Sequence, residues 1–135
     1  MTKRFMLDTN ICIYIANHKP HQVKSRFERM EPGQLIMSAI TYGELWYGTY
    51  KSSRRAFAVE KLNELIQGVP VQELPSTVSR VYGQIRGSLE KNGRTIGSND
   101  LWIGAHAMAL NVTLVTNNER EFRRIAGLNV ENWVK

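Results

Sequence analysis

Short apolar runs alternate with stretches of helical period along the whole chain. Phe5, Met6 and Leu7 form a run that ends at Asp8, after which Thr9 or Asn10 is placed to cap a helix through its side-chain oxygen. Between residues 20 and 30, Val23, Phe27 and Met30 recur at spacings of four and three, and Pro20 suits a first turn, so a second helix is expected. A strand is expected over residues 34–37, with Ser38 capping a helix that carries Ile40, Glu44, Leu45 and Gly48. Phe57, Ala58, Lys61, Leu62 and Leu65 mark an amphipathic helix over 54–67 that Gly68 stops. Val69, Val71 and Leu74 alternate with Pro70 and Glu73, as in an edge or half-buried strand. Val78, Val81, Tyr82, Ile85 and Leu89 then share a helical face closed by Asn92-Gly93. Ile96-Gly97-Ser98-Asn99 reads as the cap of a helix reaching residue 110, followed by a strand with Val112, Leu114 and Val115. A turn and helix over 117–125 and a strand over 128–130 complete the series.

Strands that alternate with helices long enough to cross back imply a mainly parallel sheet covered on both faces, an α/β sandwich of three layers, α/β/α. At 135 residues, with no repeat, low-complexity run or linker, the chain reads as one domain over residues 1–135. A hydrophobic content of 42% supports a packed core and excludes a disordered segment. Asp8 and Asn10 interrupt the N-terminal apolar stretch before a signal peptide could form, and no run approaches the roughly 18 apolar residues of a membrane helix. Cys12, the single cysteine, cannot form an internal disulfide, which removes any argument for secretion. The expectation is a soluble cytoplasmic protein without a membrane partner.

Charge narrows the partner class. Eighteen Lys and Arg against twelve Asp and Glu give 18 − 12 = +6, which favours a polyanion, with nucleic acid foremost. Aspartate occurs only at Asp8 and Asp100. Asp8 closes the first strand and Asp100 follows Gly-Ser-Asn in the first turn of an apolar helix, where the helix dipole favours an anion. Glu44 lies about one and a half turns past Ser38 among Ile40, Leu45, Trp46 and Tyr47, and Glu121 lies just past the strand ending at Val115. In an open parallel sheet the strand C-termini and helix N-termini share one edge, where a ligand crevice opens. Four acids converging there repel one another unless a hard cation lies between them, and Mg²⁺ or Mn²⁺ suits carboxylate and water ligands. Without these four, 18 basic residues face 8 acidic ones, or +10, so a basic exterior surrounds an acidic pocket. That combination suits metal-assisted hydrolysis of a phosphodiester. The ordinary reading of any one acid is a surface residue favoured by the helix dipole; four at equivalent ends are harder to explain so.

The segments Met-Leu-Asp-Thr-Asn at 6–10, Ser-Ala-Ile-Thr-Tyr-Gly-Glu-Leu at 38–45, Gly-Ser-Asn-Asp-Leu-Trp-Ile-Gly-Ala-His-Ala at 97–107 and Thr-Asn-Asn-Glu-Arg-Glu-Phe at 116–122 resemble the PIN-domain VapC toxins of bacterial type II toxin–antitoxin modules. The likeness covers almost the whole chain, with four motifs in the family's order. It implies a PIN-like fold and a Mg²⁺- or Mn²⁺-dependent endoribonuclease, inhibited by a VapB-type antitoxin whose tail occupies the groove near the site, in a homodimer and a hetero-oligomer with that antitoxin. By the resemblance, Asp8 and Asp100 match the metal-binding aspartates and Glu44 the intervening catalytic glutamate. Glu121 takes the fourth acidic position, where many members carry aspartate and where its longer reach changes the contact it can make with a metal. Thr116 and Asn118 match the polar positions that orient the site, and Thr9 and Asn10 would support the first aspartate or simply cap the helix. The chain looks like the enterobacterial type associated with initiator tRNA.

Other features carry less. His18 and His21 near Cys12 suggest zinc only weakly, because a second ligand pair is lacking. His106, six residues past Asp100, falls on another helical face and reads as a satisfied packing histidine. Tyr42, Trp46 and Tyr50 repeat every four residues, either as core or as a surface for a second protomer or an antitoxin. Arg120, Arg123 and Arg124 suit RNA phosphates or a solvated face equally. Rival functions are a DNA-directed nuclease, a non-catalytic RNA-binding domain and, more weakly, a phosphoaspartyl enzyme.

Overall fold

The computed structural model describes residues 3–135. In chain order the elements are β1 (Phe5–Leu7), α1 (Thr9–Ala16), α2 (His21–Glu28), β2 (Leu35–Ser38), α3 (Ala39–Lys51), α4 (Arg55–Gly68), β3 (Val71–Gln72), α5 (Thr77–Lys91), α6 (Ser98–Leu110), β4 (Thr113–Val115), α7 (Glu119–Phe122) and β5 (Val130–Glu131). The five strands form one parallel sheet in the order β3-β2-β1-β4-β5. The chain winds outward from β1 through β2 to β3, then crosses back to lay β4 and β5 on the other side. Winding therefore reverses between β1 and β4, where a crevice opens at the strand C-termini.

Alternation along the strands sorts their side chains between two apolar layers. Met6, Ile36 and Leu114 enter one layer with Val78, Ile85 and Leu89 of α5, several residues of α6, and Phe122 and Ile125. Phe5, Leu7, Leu35, Met37 and Val115 enter the other with Ile11, Cys12 and Ile15 of α1, Val23 of α2, Leu62 and Leu65 of α4, and Trp133. Burial on both faces is why the strands read as unbroken apolar runs. The result is the expected three-layer α/β/α sandwich. Helix α3 bridges the layers: Ile40 packs on the first and Tyr42, Leu45 and Trp46 on the second.

Several local expectations are corrected. The α1 cap is Asp8 rather than Thr9 or Asn10, because the carboxylate itself accepts the Ile11 N–H. Pro20 is the residue before α2 instead of lying in its first turn, and that helix ends at Glu28. Leu74 falls outside β3 and packs on the first apolar layer. Helix α6 begins without a side-chain cap, since Gly97 precedes it and Asn99 is engaged elsewhere. The last helix is a single turn, α7, and the final strand is Val130–Glu131 rather than 128–130. The aromatic stripe divides: Tyr42 and Trp46 meet edge to face at 6.0 Å in the second layer, whereas Tyr50 is 69% exposed with the Arg55 guanidinium 4.1 Å over its ring.

Candidate active site

The site grows from the junction of β1 and β4. Asp8 follows β1 in extended conformation, and its backbone N–H donates to the Val115 carbonyl at 3.0 Å, continuing the ladder one step past the strand. Its two carboxylate oxygens do different work. Oδ1 accepts the Ile11 N–H at 3.0 Å and so caps α1, while Oδ2 accepts the Thr116 hydroxyl from the end of β4. Thr116 Oγ1 in turn accepts the Asn118 N–H at 2.8 Å, which fixes the loop that leads into α7. Asp8 is thus held in one rotamer by donors from two elements. Burial pushes its carboxyl pKa up, against the Thr116 and Ile11 hydrogen bonds and the Asn10 backbone, and the charge of Glu44 adds to the rise.

Glu44 reaches the same edge from α3. The Thr9 hydroxyl donates to its Oε1, and the Asn99 side-chain amide donates to its Oε2 at 3.3 Å. Thr41 Oγ1, buried one turn before Glu44, lies 3.3 Å from Thr9 Oγ1. Asp100 stands in the first turn of α6, only partly exposed. Its pKa is pushed up to about 6, first by burial and then by the charges of Asp8, Glu121 and Glu44, while the Asn118 amide opposes the rise. Glu121 on α7 accepts a hydrogen bond from Asn118 Nδ2. Asp100 is therefore close enough to Asp8, Glu44 and Glu121 to feel their charge, and Asp8 close enough to feel that of Glu44.

The donor set consists only of carboxylate, hydroxyl and amide oxygens, which suits a hard divalent cation and not a thiolate- or imidazole-seeking metal. Among the described residues no three Asp, Glu, His or Cys side chains are grouped tightly enough to ligate one ion directly. Mg²⁺ binds through one or two carboxylates and keeps several waters, so it does not require such a cluster. The repulsion that adds to burial in lifting Asp100 is the second sign of fit, since a cation between the acids relieves it.

All four acids expected from the sequence are at this edge, and Thr9, Thr116 and Asn118 each hold one of them. Asn10 differs: its side chain is exposed, and it serves Asp8 through its backbone N–H. Asn99 and Thr41 were not expected. Their signals are adjacency to Asp100 in Gly-Ser-Asn-Asp and a position three residues before Glu44, and neither shows its role without the fold. His106 is buried away from the acids, its Nδ1 2.8 Å from Ser38 Oγ; burial lowers its pKa and keeps it neutral. Its buried Nε2 has no hydrogen-bond partner among the described residues, so this packing histidine is only half satisfied. Cys12 is fully buried in the second apolar layer, while His18 and His21 are exposed, so the weak zinc pattern does not assemble.

With this geometry in place, similarity to known proteins is informative. Residues 5–128 match the PIN domain family. The chain is 40% identical to "Ribonuclease VapC2" of Rickettsia felis over 97% of its own length and 98% of that protein. It is 37% identical to "tRNA(fMet)-specific endonuclease VapC" of Shigella flexneri, covering 96% of this chain and 98% of the relative. Its fold superposes with a TM-score of 0.89 on a chain of the VapBC-1 structure from nontypeable Haemophilus influenzae, at 39% identity over 97% of this chain and 98% of that one. A family match across nearly the whole chain, near-complete coverage of these relatives and a close superposition have one reading: the chain belongs to the PIN-domain family, in its VapC group.

Proposed function

We propose that the protein is a metal-dependent endoribonuclease and the toxin of a two-component toxin–antitoxin module. The observation that carries this reading is the gathering of Asp8, Glu44, Asp100 and Glu121 where sheet winding reverses, each acid but Asp100 anchored by a hydroxyl or amide donor. One or two of Asp8, Glu44 and Asp100 would hold Mg²⁺, or Mn²⁺ in its place, directly, and the remainder would act through its waters. When bound, such an ion lowers the pKa of a coordinated water and offsets charge on the phosphodiester.

The chain's own residues supply the rest. Thr116 and Ile11 aim Asp8 and oppose the rise in its pKa that burial causes, Thr9 and Asn99 fix both oxygens of Glu44, and Asn118 orients Glu121 beside Asp100. Glu121 would position water or substrate. The excess of +10 outside the four acids draws a polyanionic strand towards the crevice.

The names of the relatives support RNA as substrate, and that of the Shigella relative supports initiator tRNA. The Haemophilus VapBC-1 structure supports association with a VapB-type antitoxin, which we propose restrains the toxin within a hetero-oligomer that contains a toxin homodimer. No helix among the described residues is long and apolar enough to cross a membrane, consistent with action in the cytoplasm.

The test is substrate choice. Purified protein with Mg²⁺ is expected to cut an initiator tRNA transcript and to leave DNA of the same sequence intact. Cleavage of both polymers would move the reading to a general nuclease. Binding without cleavage, unaltered in Asp8→Asn and Asp100→Asn, would make the acids structural.

A further inference from the structure

Outside the acidic crevice the described residues form a concave surface of single sign. An open basin of about 480 Å³ is lined by Gly93, Arg94, Thr95, Arg120, Arg123 and Arg124, within the size range of ligand pockets. Two of its arginines are already engaged. Arg123 pairs with Glu119 at 2.9 Å, and Arg124 Nη1 donates to the Thr95 carbonyl at 2.7 Å, tying the 93–95 loop to the end of α7. Glu119 is shared further with Lys135 at 2.8 Å and Asn132 at 3.0 Å, and these contacts together with Arg123 hold its pKa at about 2. Arg94 and Arg120 are exposed and, among the described residues, form no ion pair or side-chain hydrogen bond. The basin is therefore fixed in shape by two arginines and presents two free guanidinium forks.

Both lining segments lead directly into the acidic site. Arg120 precedes Glu121, and Thr95 is five residues before Asp100, a span of at most about 17 Å even if fully extended. The lining has no aromatic or aliphatic anchor of the kind that dominates protein–protein hot spots, only glycine, threonine and arginine. Guanidinium forks match phosphate oxygens in geometry as well as charge.

We infer that this basin is a substrate subsite that grips a backbone phosphate of the RNA a few nucleotides from the cleaved bond, with Arg94 and Arg120 as the phosphate-binding residues. The inference rests on the ribonuclease reading but concerns how RNA is positioned, not how it is cut. Such a grip binds ground and transition states alike, so it sets KM and leaves kcat nearly unchanged.

The test measures binding of an initiator tRNA transcript in EDTA, so that cleavage does not intervene, from 50 to 200 mM salt. The Arg94→Gln/Arg120→Gln protein is expected to bind about tenfold more weakly at low salt, with the salt slope reduced by about 1.5, as for two lost phosphate contacts. Arg94→Lys/Arg120→Lys should recover the slope and only part of the affinity, because lysine keeps the charge without the fork. Lys19→Gln/Arg29→Gln removes the same charge from two exposed residues on the side of the sheet carrying α2, and should change the slope little. With Mg²⁺, KM should rise in Arg94→Gln/Arg120→Gln while kcat holds. Equal losses in the two Gln pairs would overturn the inference in favour of generic charge. Unchanged RNA binding with weakened antitoxin binding would overturn it in favour of a protein contact. Failure of the unaltered protein to bind RNA would overturn the ribonuclease reading as well, which separates the two.

Discussion

Asp8 does two things at once, capping a helix and offering a carboxylate to the crevice from a buried position, where the Thr116 hydroxyl opposes the rise in its pKa that burial causes. Replacing Asp8 or Asp100 by Asn keeps shape and removes charge, so each variant is expected to lose cleavage by at least about a hundredfold while RNA binding is kept or improves. Thr9→Val should lower kcat about tenfold with little loss of stability, because it frees Glu44 without emptying the core. Asp100 also predicts a pH dependence. Its folded pKa of about 6 lies above its ordinary value of 3.8, so the folded state binds the proton more tightly, and the stabilisation present below about pH 4 is lost as pH rises to about 6. In EDTA at pH 7, Asp100→Asn should therefore be more stable than the unaltered protein by about 1 kcal/mol, after allowance for solvent screening of a partly exposed group. Urea melts at pH 4 and pH 7 check this, and a difference that grows towards pH 4 would contradict it. The acids themselves were legible in the sequence because aspartate is so scarce and both examples sit at helix entrances. Asn99 and Thr41 were not legible, since their partners, Glu44 and Thr9, are 55 and 32 residues away and only the fold brings them together.

At the scale of elements, α7 is the delicate part, a single turn that places Glu121. Its anchor is Phe122, fully buried against Gly104 of α6: a Cβ at Gly104 would lie 2.7 Å from Ile125 Cδ1 and 3.6 Å from the Phe122 ring. Gly104→Leu is expected to cost about 1–3 kcal/mol in a denaturant melt, as overpacking does, and to lower activity beyond the unfolded fraction because α7 shifts. Activity that simply followed the folded fraction would show that α7 tolerates the shift. Long helices such as α5 were visible in sequence because their apolar positions recur over several turns. The ends of α2, β3, α7 and β5 were not, because one or two residues of pattern cannot outweigh tertiary contacts such as Leu74 packing on the first layer. The N-cap at Asp8 was missed for a related reason: its acidic side chain was assigned to chemistry alone, although a carboxylate can also serve the backbone.

Over the whole molecule, parallel order was legible from alternation of strands and helices, while the strand order β3-β2-β1-β4-β5 and its reversal between β1 and β4 required coordinates. That reversal joins residues from both ends of the chain into one acidic crevice within a protein of net charge +6. The same contrast predicts that Mg²⁺ stabilises the folded protein by relieving repulsion among the acids, and that chelation reverses the effect. The most direct test of the account is Mn²⁺ binding followed by the loss of the free-ion electron paramagnetic resonance signal. The unaltered protein should bind Mn²⁺ at the crevice in competition with Mg²⁺, and Asp8→Asn and Asp100→Asn should each weaken that binding at least about tenfold while remaining folded. Equal Mn²⁺ binding by all three folded proteins would contradict the claim that these carboxylates form one divalent-cation site.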